Sequence, residues 1–489
     1  MISLKYSSLV LSLVCVGCRS LSANTPDQDI PEPKATALAW VDENAADLKK
    51  LNRVIWEAAE LGLDEHVSSK ALREYLRRHG FTIESGLAGM PTAFVASYGS
   101  GEPVVAILAE FDALPGMSQK ATPEQTPHVE GGNGHACGHS AFGAGSTGGA
   151  VATRYAMEKH GLKGTIRLYG TPAEETGIGK TYMVKEGVFS DCDAALHWHP
   201  SSRTKTSYSL CKAIVSVKYT FHGLPAHASL SPHDGRSALD AVELMNIGAN
   251  FLREHLKEDA RIHYVISDGG GQPNVVPPRA QVWYYLRAND HRDVEHLFAR
   301  IEKIARGAAL MTDTDLEIEV ASDSHELVPN RPLSELIQRN LMLVGAPVFD
   351  DAEKSFARKT QEPLVAARGR PIEMPLSEEI DPLSDEPDLI RASTDVGDVS
   401  WMVPTGGFRV ACYTYGAPGH SWQIVACTGM SIGEKGLVVA SRVMSVSAIE
   451  ILGDVDLLAA AKRDFAGRRE GIPYTSLIPK DQKAPLKIR

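Results

Sequence analysis

Six residues, Gly134-His135-Ala136-Cys137-Gly138-His139, place a thiol and two imidazoles between glycines. These side chains are poor core material and good ligands. Cys and His are favoured donors for zinc and its first-row neighbours, and Gly138 lets the backbone bend so that the Cys-x-His pair can face one point. Clusters of this kind also occur as buried or helix-capping groups, so a metal reading requires further donors elsewhere. Apolar, strand-like runs supply them. The run 104–109 leads into Glu110-Phe111-Asp112, 165–169 into Thr171-Pro172-Ala173-Glu174-Glu175, 194–198 into His199-Pro200, and 408–413 into Gly416-Ala417-Pro418-Gly419-His420. Together Cys137, His139, Glu174, Glu175, His199 and His420 suit two divalent ions that share one ligand; ions about 3.5–4 Å apart can activate a water and polarise a carbonyl. Two consecutive glutamates are commonplace on a solvated helix. After Pro-Ala at the end of a buried strand they fit one metal ligand and one general base.

The elements that must position these groups follow from periodicity. Leu48, Leu51, Ile55 and Ala58 recur at helical steps within 36–80, and a second helix is expected near 69–78. The runs 92–97 and 104–109 read as strands, the second so apolar that both faces must be covered. Asp112 then stands just past the carboxyl end of a strand, where open α/β sheets place their chemistry. A small-residue helix over 143–159 and strands 165–169 and 194–198 complete an alternation that predicts an α/β fold, a doubly wound, mostly parallel sheet. The pattern changes near 209. A strand 213–221, a helix 236–254, strands 262–267 and 281–287, a helix 292–311 and a strand 316–321 give the order βαββαβ, a small ferredoxin-like unit inserted over 209–324. The catalytic domain then comprises 36–208 and 325–489. Within it the Pro- and acid-rich stretch 350–388 reads as a surface excursion, and the last helix is expected over 435–452.

The motifs Glu110-Phe-Asp112-Ala-Leu-Pro, His135-Ala-Cys137-Gly-His139, Pro172-Ala-Glu174-Glu175, Trp198-His199-Pro200, Gly223-Leu-Pro-Ala-His227-Ala and Gly419-His420 stand in one order along 36–457. In that order the chain resembles the di-metal aminoacylase/carboxypeptidase family, and within it the branch of p-aminobenzoyl-glutamate, hippurate and auxin-conjugate amidohydrolases. The resemblance implies a hydrolase that cleaves the amide of an N-acyl or N-aroyl amino acid, or of a dipeptide-like compound, with a metal-activated water. It implies two divalent ions, zinc, manganese or cobalt, with Cys137 as the bridging ligand and His139, Glu175, His199 and His420 completing the two spheres. Glu174 would be the general base, and Asp112 would steady the centre from behind. His197 competes with His199, since residues two apart on a strand share a face; the Trp-His-Pro match favours His199. The inserted unit resembles the family's lid and dimerisation domain, which implies a homodimer. There His227 would donate to the substrate carbonyl across the dimer, and Asn274 and Arg287 would bind the substrate's amide or carboxylate. Read without the resemblance, Asn274 is a turn residue and Arg287 a solvated strand end. In several relatives an Asp preceded by Arg occupies the place of Glu110; here Leu108-Ala109 precede it.

Length and charge narrow the classes further. A chain of 489 residues exceeds what one core serves. Fifty basic against 61 acidic residues, net −11, argue against nucleic acid as a partner. Lys5 followed by the apolar run 9–17 reads as a signal peptide over 1–23, too short to span a bilayer, and places the protein outside the cytoplasm, in the periplasm or on the cell envelope. Cys15-Val16-Gly17-Cys18 resembles a lipoprotein processing site with Cys18 as the anchor; simple cleavage near Ala23 is the alternative. The Pro-rich segment 24–35 reads as a tether. Cys192, Cys211, Cys412 and Cys427 have no framework spacing and are expected as buried free thiols. Gly429-Met-Ser431-Ile-Gly433 matches a serine-nucleophile elbow, but no His follows His420, as the α/β-hydrolase order demands. Ligands spread from 137 to 420 argue against a structural zinc, which closes up locally. A binding protein of the same fold that captures acylated amino acids is the rival from another class.

Overall fold

The computed structural model describes residues 30–486. Its centre is a seven-stranded sheet in the order Thr82–Ser85, Phe94–Ser100, Gly164–Gly170, Val104–Ala109, Ala194–Ser201, Thr405–Ala411, Lys205–Thr206. The middle four strands are parallel, and the outer pairings are antiparallel. All six residues of Val104–Ala109 are buried because both faces are covered. Val105, Ile107 and Ala109 join the core under the helices Glu32–Glu43, Ala45–Ala58, His66–Arg78, His139–His160 and Ser431–Gly453. Ala106 and Leu108 join the opposite core, with Tyr182, Met183 and Val399. The helices His139–His160 and Ser431–Gly453 lie close because the first is built of small residues: a Cβ on Gly149 would stand 2.6 Å from Met444.

A second, four-stranded antiparallel sheet has the order Asp315–Ser324, Ala213–His222, Arg279–Ala288, Arg261–Asp268. Numbered along the chain this is 4-1-3-2, the ferredoxin-like arrangement. Helices Ala238–Leu252 and His291–Thr312 cover one face, burying Val217, Tyr219, Val282, Tyr284 and Leu286. The alternation of Arg279–Ala288 then leaves Tyr285 and Arg287 on the other face.

Four expectations change. The first helix begins at Glu32, inside the expected tether, and Lys34 is fixed by Asn340 at 3.0 Å and by an ion pair with Glu450. The excursion 350–388 contains an 18-residue helix, Asp351–Arg368, started by a capping box between Asp350 and Glu353. Its Pro363 hides the pattern, yet the helix docks through Ala357, Thr360 and Gln361, whose amide reaches the carbonyls of Met374 and Tyr415 at 2.7 and 3.0 Å. A further helix, Val455–Arg469, follows the one expected to be last; it buries only Ala461 and so carries no apolar stripe. His199 and Pro200 lie within their strand, not after it. The expected signal, Cys18 and the cleavage near Ala23 lie outside the described residues.

Candidate active site

The parallel strands deliver their ends to one place. Val104–Ala109 hands over to Glu110 and Asp112, and Gly164–Gly170 to Glu174 and Glu175. In Ala194–Ser201 the residues Ala194, Leu196 and Trp198 face the helical core, which turns His197 and His199 toward the second sheet. Gly138, at φ 86°, turns the chain so that His139 opens its helix, and a Cβ there would meet Pro200 at 2.9 Å. Ala173 and His420 take left-handed backbone, φ 56° and 53°, which costs about 1–3 kcal/mol at each non-glycine position and is typical of functional sites.

Cys137 Sγ lies 3.4 Å from His199 Nε2. The His199 Nδ1 donates to the Pro200 carbonyl at 2.7 Å, so Nε2 keeps its lone pair toward the thiol. His139 Nδ1 is 2.8 Å from Asp112 Oδ1, and the other oxygen of Asp112 accepts the Glu175 backbone N–H at 2.9 Å. Asp112 thus orients a histidine and a glutamate together, as carboxylates behind metal ligands do. Glu175 Oε2 is 3.3 Å from His420 Nε2. The donor atoms of Cys137, His139 and His199 lie within 4.8 Å of one another, and so do those of Cys137, Glu175 and His420. The two groups share Cys137. A third group joins Glu110, His139 and Glu174, with Glu110 Oε2 3.2 Å and Glu174 Oε2 4.0 Å from His139 Nε2.

This donor set fits divalent metal. Glu110 Oε2, His139 Nε2 and Glu175 Oε1 are buried without a hydrogen-bond partner among the described residues, an arrangement that costs about 1–3 kcal/mol per group unless a cation meets it. Burial, with the Glu175 charge beside it, pushes the Cys137 thiol up to about 12, so only a cation would make it a thiolate. Burial drives Glu175 well above the carboxylate range and holds His199 neutral, far below the usual imidazole value. Burial also pushes Glu110 up to about 8, with Lys180 pulling the other way.

Lys180 is fully buried, with Nζ 2.7 Å from Glu110 Oε1 and 2.6 Å from Asp395 Oδ1, and its backbone N–H donates to Asp395 Oδ2 at 2.9 Å. Burial works against its charge, but Asp395 and Glu110 outweigh it and raise its pKa. A cavity of about 370 Å³ lies between the two sheets, with Cys137, Glu174, Glu175, His199 and His420 on one side and Tyr285, Arg287 and Ser393 on the other. Arg287 Nη1 donates to Ser393 Oγ at 3.0 Å.

Of the residues singled out in the sequence, Cys137, His139, Glu174, Glu175, His199, His420 and Asp112 converge, and Arg287 opens into their cavity. His197 also lines it, with its ring over Gly407, where a Cβ would stand 2.1 Å from Nε2. His227 and Asn274 are not brought in. Both are exposed on adjoining loops of the second sheet, joined by the Ala228 N–H to the Asn274 carbonyl at 3.0 Å. His227 Nδ1 accepts the N–H groups of Ser229 and Leu230 at 3.2 and 3.1 Å, leaving Nε2–H free to donate. Sequence reading missed Lys180, Asp395 and Arg409. A lysine among Ile178, Gly179 and Met183, and an arginine between Phe408 and Val410, were the available signals: charges set inside apolar runs.

Residues 106–354 match the model of peptidase family M20/M25/M40. One of the two subunits of the p-aminobenzoyl-glutamate hydrolase of Escherichia coli (strain K12) is 40% identical over 456 residues, which span 88% of this chain and 95% of that protein. The Xaa-Arg dipeptidase of Mus musculus is 28% identical over 454 residues, 88% of this chain and 92% of the relative. The crystal structure of an aminobenzoyl-glutamate utilization protein from Klebsiella pneumoniae shares the fold, with a TM-score of 0.59 at 16% identity over 84% of this chain and 97% of the other. So does that of the YXEP protein of Bacillus subtilis, described as a dinuclear metal binding peptidase, with a TM-score of 0.52 at 17% identity over 85% and 100%. The chain therefore belongs to peptidase family M20/M25/M40 and is a hydrolase of amide bonds.

Proposed function

We propose that this protein cleaves the amide of an N-acyl or N-aroyl amino acid, p-aminobenzoyl-glutamate-like, or of a dipeptide-like compound. The observation that carries this reading is the pair of donor groups sharing Cys137, with Glu174 beside them in one cavity. Cys137 would bridge two divalent ions, zinc, manganese or cobalt, with His139 and His199 on one and Glu175 and His420 on the other. Bound there, the ions would supply Lewis acidity to a water and to the scissile carbonyl. Glu174 takes the proton from the attacking water and passes it to the leaving nitrogen. It suits that role because Glu175, not Glu174, meets His420, and Asp112 holds the Glu175 backbone. Arg287 holds a carboxylate of the substrate from the second sheet. The names of the relatives, a p-aminobenzoyl-glutamate hydrolase and a dipeptidase, support both substrate classes.

His227 and Asn274 stand outside their own chain's cavity, so we assign them to the cavity of a partner, which makes the working unit a dimer. The edge strand Arg261–Asp268 leaves Val265 59% and Ile266 46% exposed, and the neighbouring helix leaves Phe251 75% exposed, an apolar surface suited to a second copy. A related but different chain is the other partner to test, because two of the relatives in Escherichia coli (strain K12) are named as distinct subunits of p-aminobenzoyl-glutamate hydrolase. The expected signal places the protein outside the cytoplasm, with Cys18 as a lipid anchor; mass spectrometry of the mature N-terminus tests that. Glu174→Gln should keep the metal content of the wild type and lose about 10²–10⁴-fold in turnover. Unchanged turnover removes Glu174 from its role.

A further inference from the structure

Arg409 sits on Thr405–Ala411 in parallel register with His199. Its neighbour Phe408 pairs with Trp198 on the helical face, ring centroids 6.4 Å apart, so Arg409 leaves the sheet on the face of His199. The half-buried guanidinium lines the same cavity as Cys137 and Glu174. Among the described residues no hydrogen bond, ion pair or ring contact engages it. Arg287, entering from the opposite sheet, has a hydroxyl partner and no carboxylate, and its Nε is buried without a partner. Elsewhere this chain pairs its cations. Arg167 grips both oxygens of Asp191 at 2.7 Å, and Lys180, which does offset buried carboxylates, lies within 2.7 Å of two of them. Arg409 is built differently from these structural counter-charges. Its field falls on His197 and His199, and that of Arg287 on Glu174 and His420, so the two guanidiniums flank the donor cluster.

We propose that Arg409 is a specificity determinant that binds a second carboxylate of the substrate, so that the preferred amide is a dicarboxylate held by Arg287 on one sheet and Arg409 on the other. An unpaired guanidinium in a part-buried cavity is the natural receptor for a carboxylate, which it can grip through two parallel N–H···O bonds. The second carboxylate can stand on the amino-acid half, as in an N-acyl glutamate, or on the acyl half, as in an N-succinyl amino acid. This inference rests on the proposed hydrolysis.

The test compares kcat/KM of the metal-loaded protein on two matched pairs, N-benzoyl-glutamate against N-benzoyl-glutamine and N-succinyl-alanine against N-butyryl-alanine. The wild type should favour the diacid of one pair about 10- to 100-fold, and the favoured pair identifies the half. In Arg409→Met that preference should collapse through KM; Arg409→Lys should restore part of it. A wild type without preference in either pair, or a preference that survives in Arg409→Met, overturns the proposal. If the wild type hydrolyses none of the four, the hydrolysis reading fails by itself. Thermal-shift titrations with glutarate and butyrate then decide the role of Arg409: glutarate alone should stabilise the wild type, and its effect should vanish in Arg409→Met. Equal shifts by both acids, or a glutarate shift kept in the variant, refute it.

Discussion

Replacing Lys180 with Met removes one ammonium from between two carboxylates while nearly keeping the volume of the side chain. Lys180 and Asp395 are 0% exposed and Glu110 is 1% exposed, with ion pairs of 2.6 and 2.7 Å. Breaking a buried pair from one side costs about 3–5 kcal/mol, because the remaining charge is left without compensation. Here two carboxylates lose their partner, so the upper half of that range applies, a large fraction of the roughly 5–15 kcal/mol that holds a protein folded. Urea unfolding of metal-free wild type and Lys180→Met, followed by far-UV circular dichroism, gives the difference directly. The gap should narrow after metal is added, since a cation beside Glu110 takes over part of the compensation. A metal-free variant within about 1 kcal/mol of wild type would refute the argument, because surface-like ion pairs are worth no more than that.

Asp112→Ala removes the acceptor that holds both the His139 ring and the Glu175 backbone, so metal affinity should fall about 10- to 100-fold in a chelator competition, with the fold retained. An unchanged affinity would mean that the two ligands orient themselves. The third prediction concerns pH. His291 stacks on His325 with ring centroids 3.8 Å apart and lies 2.8 Å from Asp323. Burial opposes its charge, but the hydrogen bond and charge of Asp323 outweigh burial and raise its pKa above the ordinary value, while burial and the His291 charge push His325 down to about 3. A raised folded-state pKa gives stability that is fully present below about pH 6.5 and is lost as pH rises through the folded value. The unfolding free energy of wild type minus His291→Gln should therefore shrink from pH 6 toward pH 9. A difference that grows over that interval contradicts the assignment.

What could be read from the sequence was what is encoded locally. Six buried apolar residues at 104–109 announce a covered strand, and the alternation of strands and helices gives the parallel sheet that the structure contains. Donor residues at strand ends stand out because carboxylates and imidazoles next to buried runs need a partner. What escaped is set by tertiary packing. The helix Asp351–Arg368 is masked by Pro363, and its docking depends on Gln361 reaching two carbonyls far along the chain. Lys180 and Asp395 lie 215 residues apart, and nothing in either local sequence names the other. Choosing between His197 and His199 by alternation was impossible, since both face the cavity; only the 3.4 Å approach of His199 to Cys137, and the packing of His197 on Gly407, separate them.

The most direct test of the account is the metal content of the purified protein, measured together with hydrolysis of p-aminobenzoyl-glutamate, hippurate and a few dipeptides before and after chelation. The account predicts about two divalent ions per chain and turnover that disappears with the chelator and returns with metal. A protein that takes up no metal on reconstitution, or one that hydrolyses these amides equally well without it, would contradict the reading of Cys137 as the shared ligand of a hydrolytic centre.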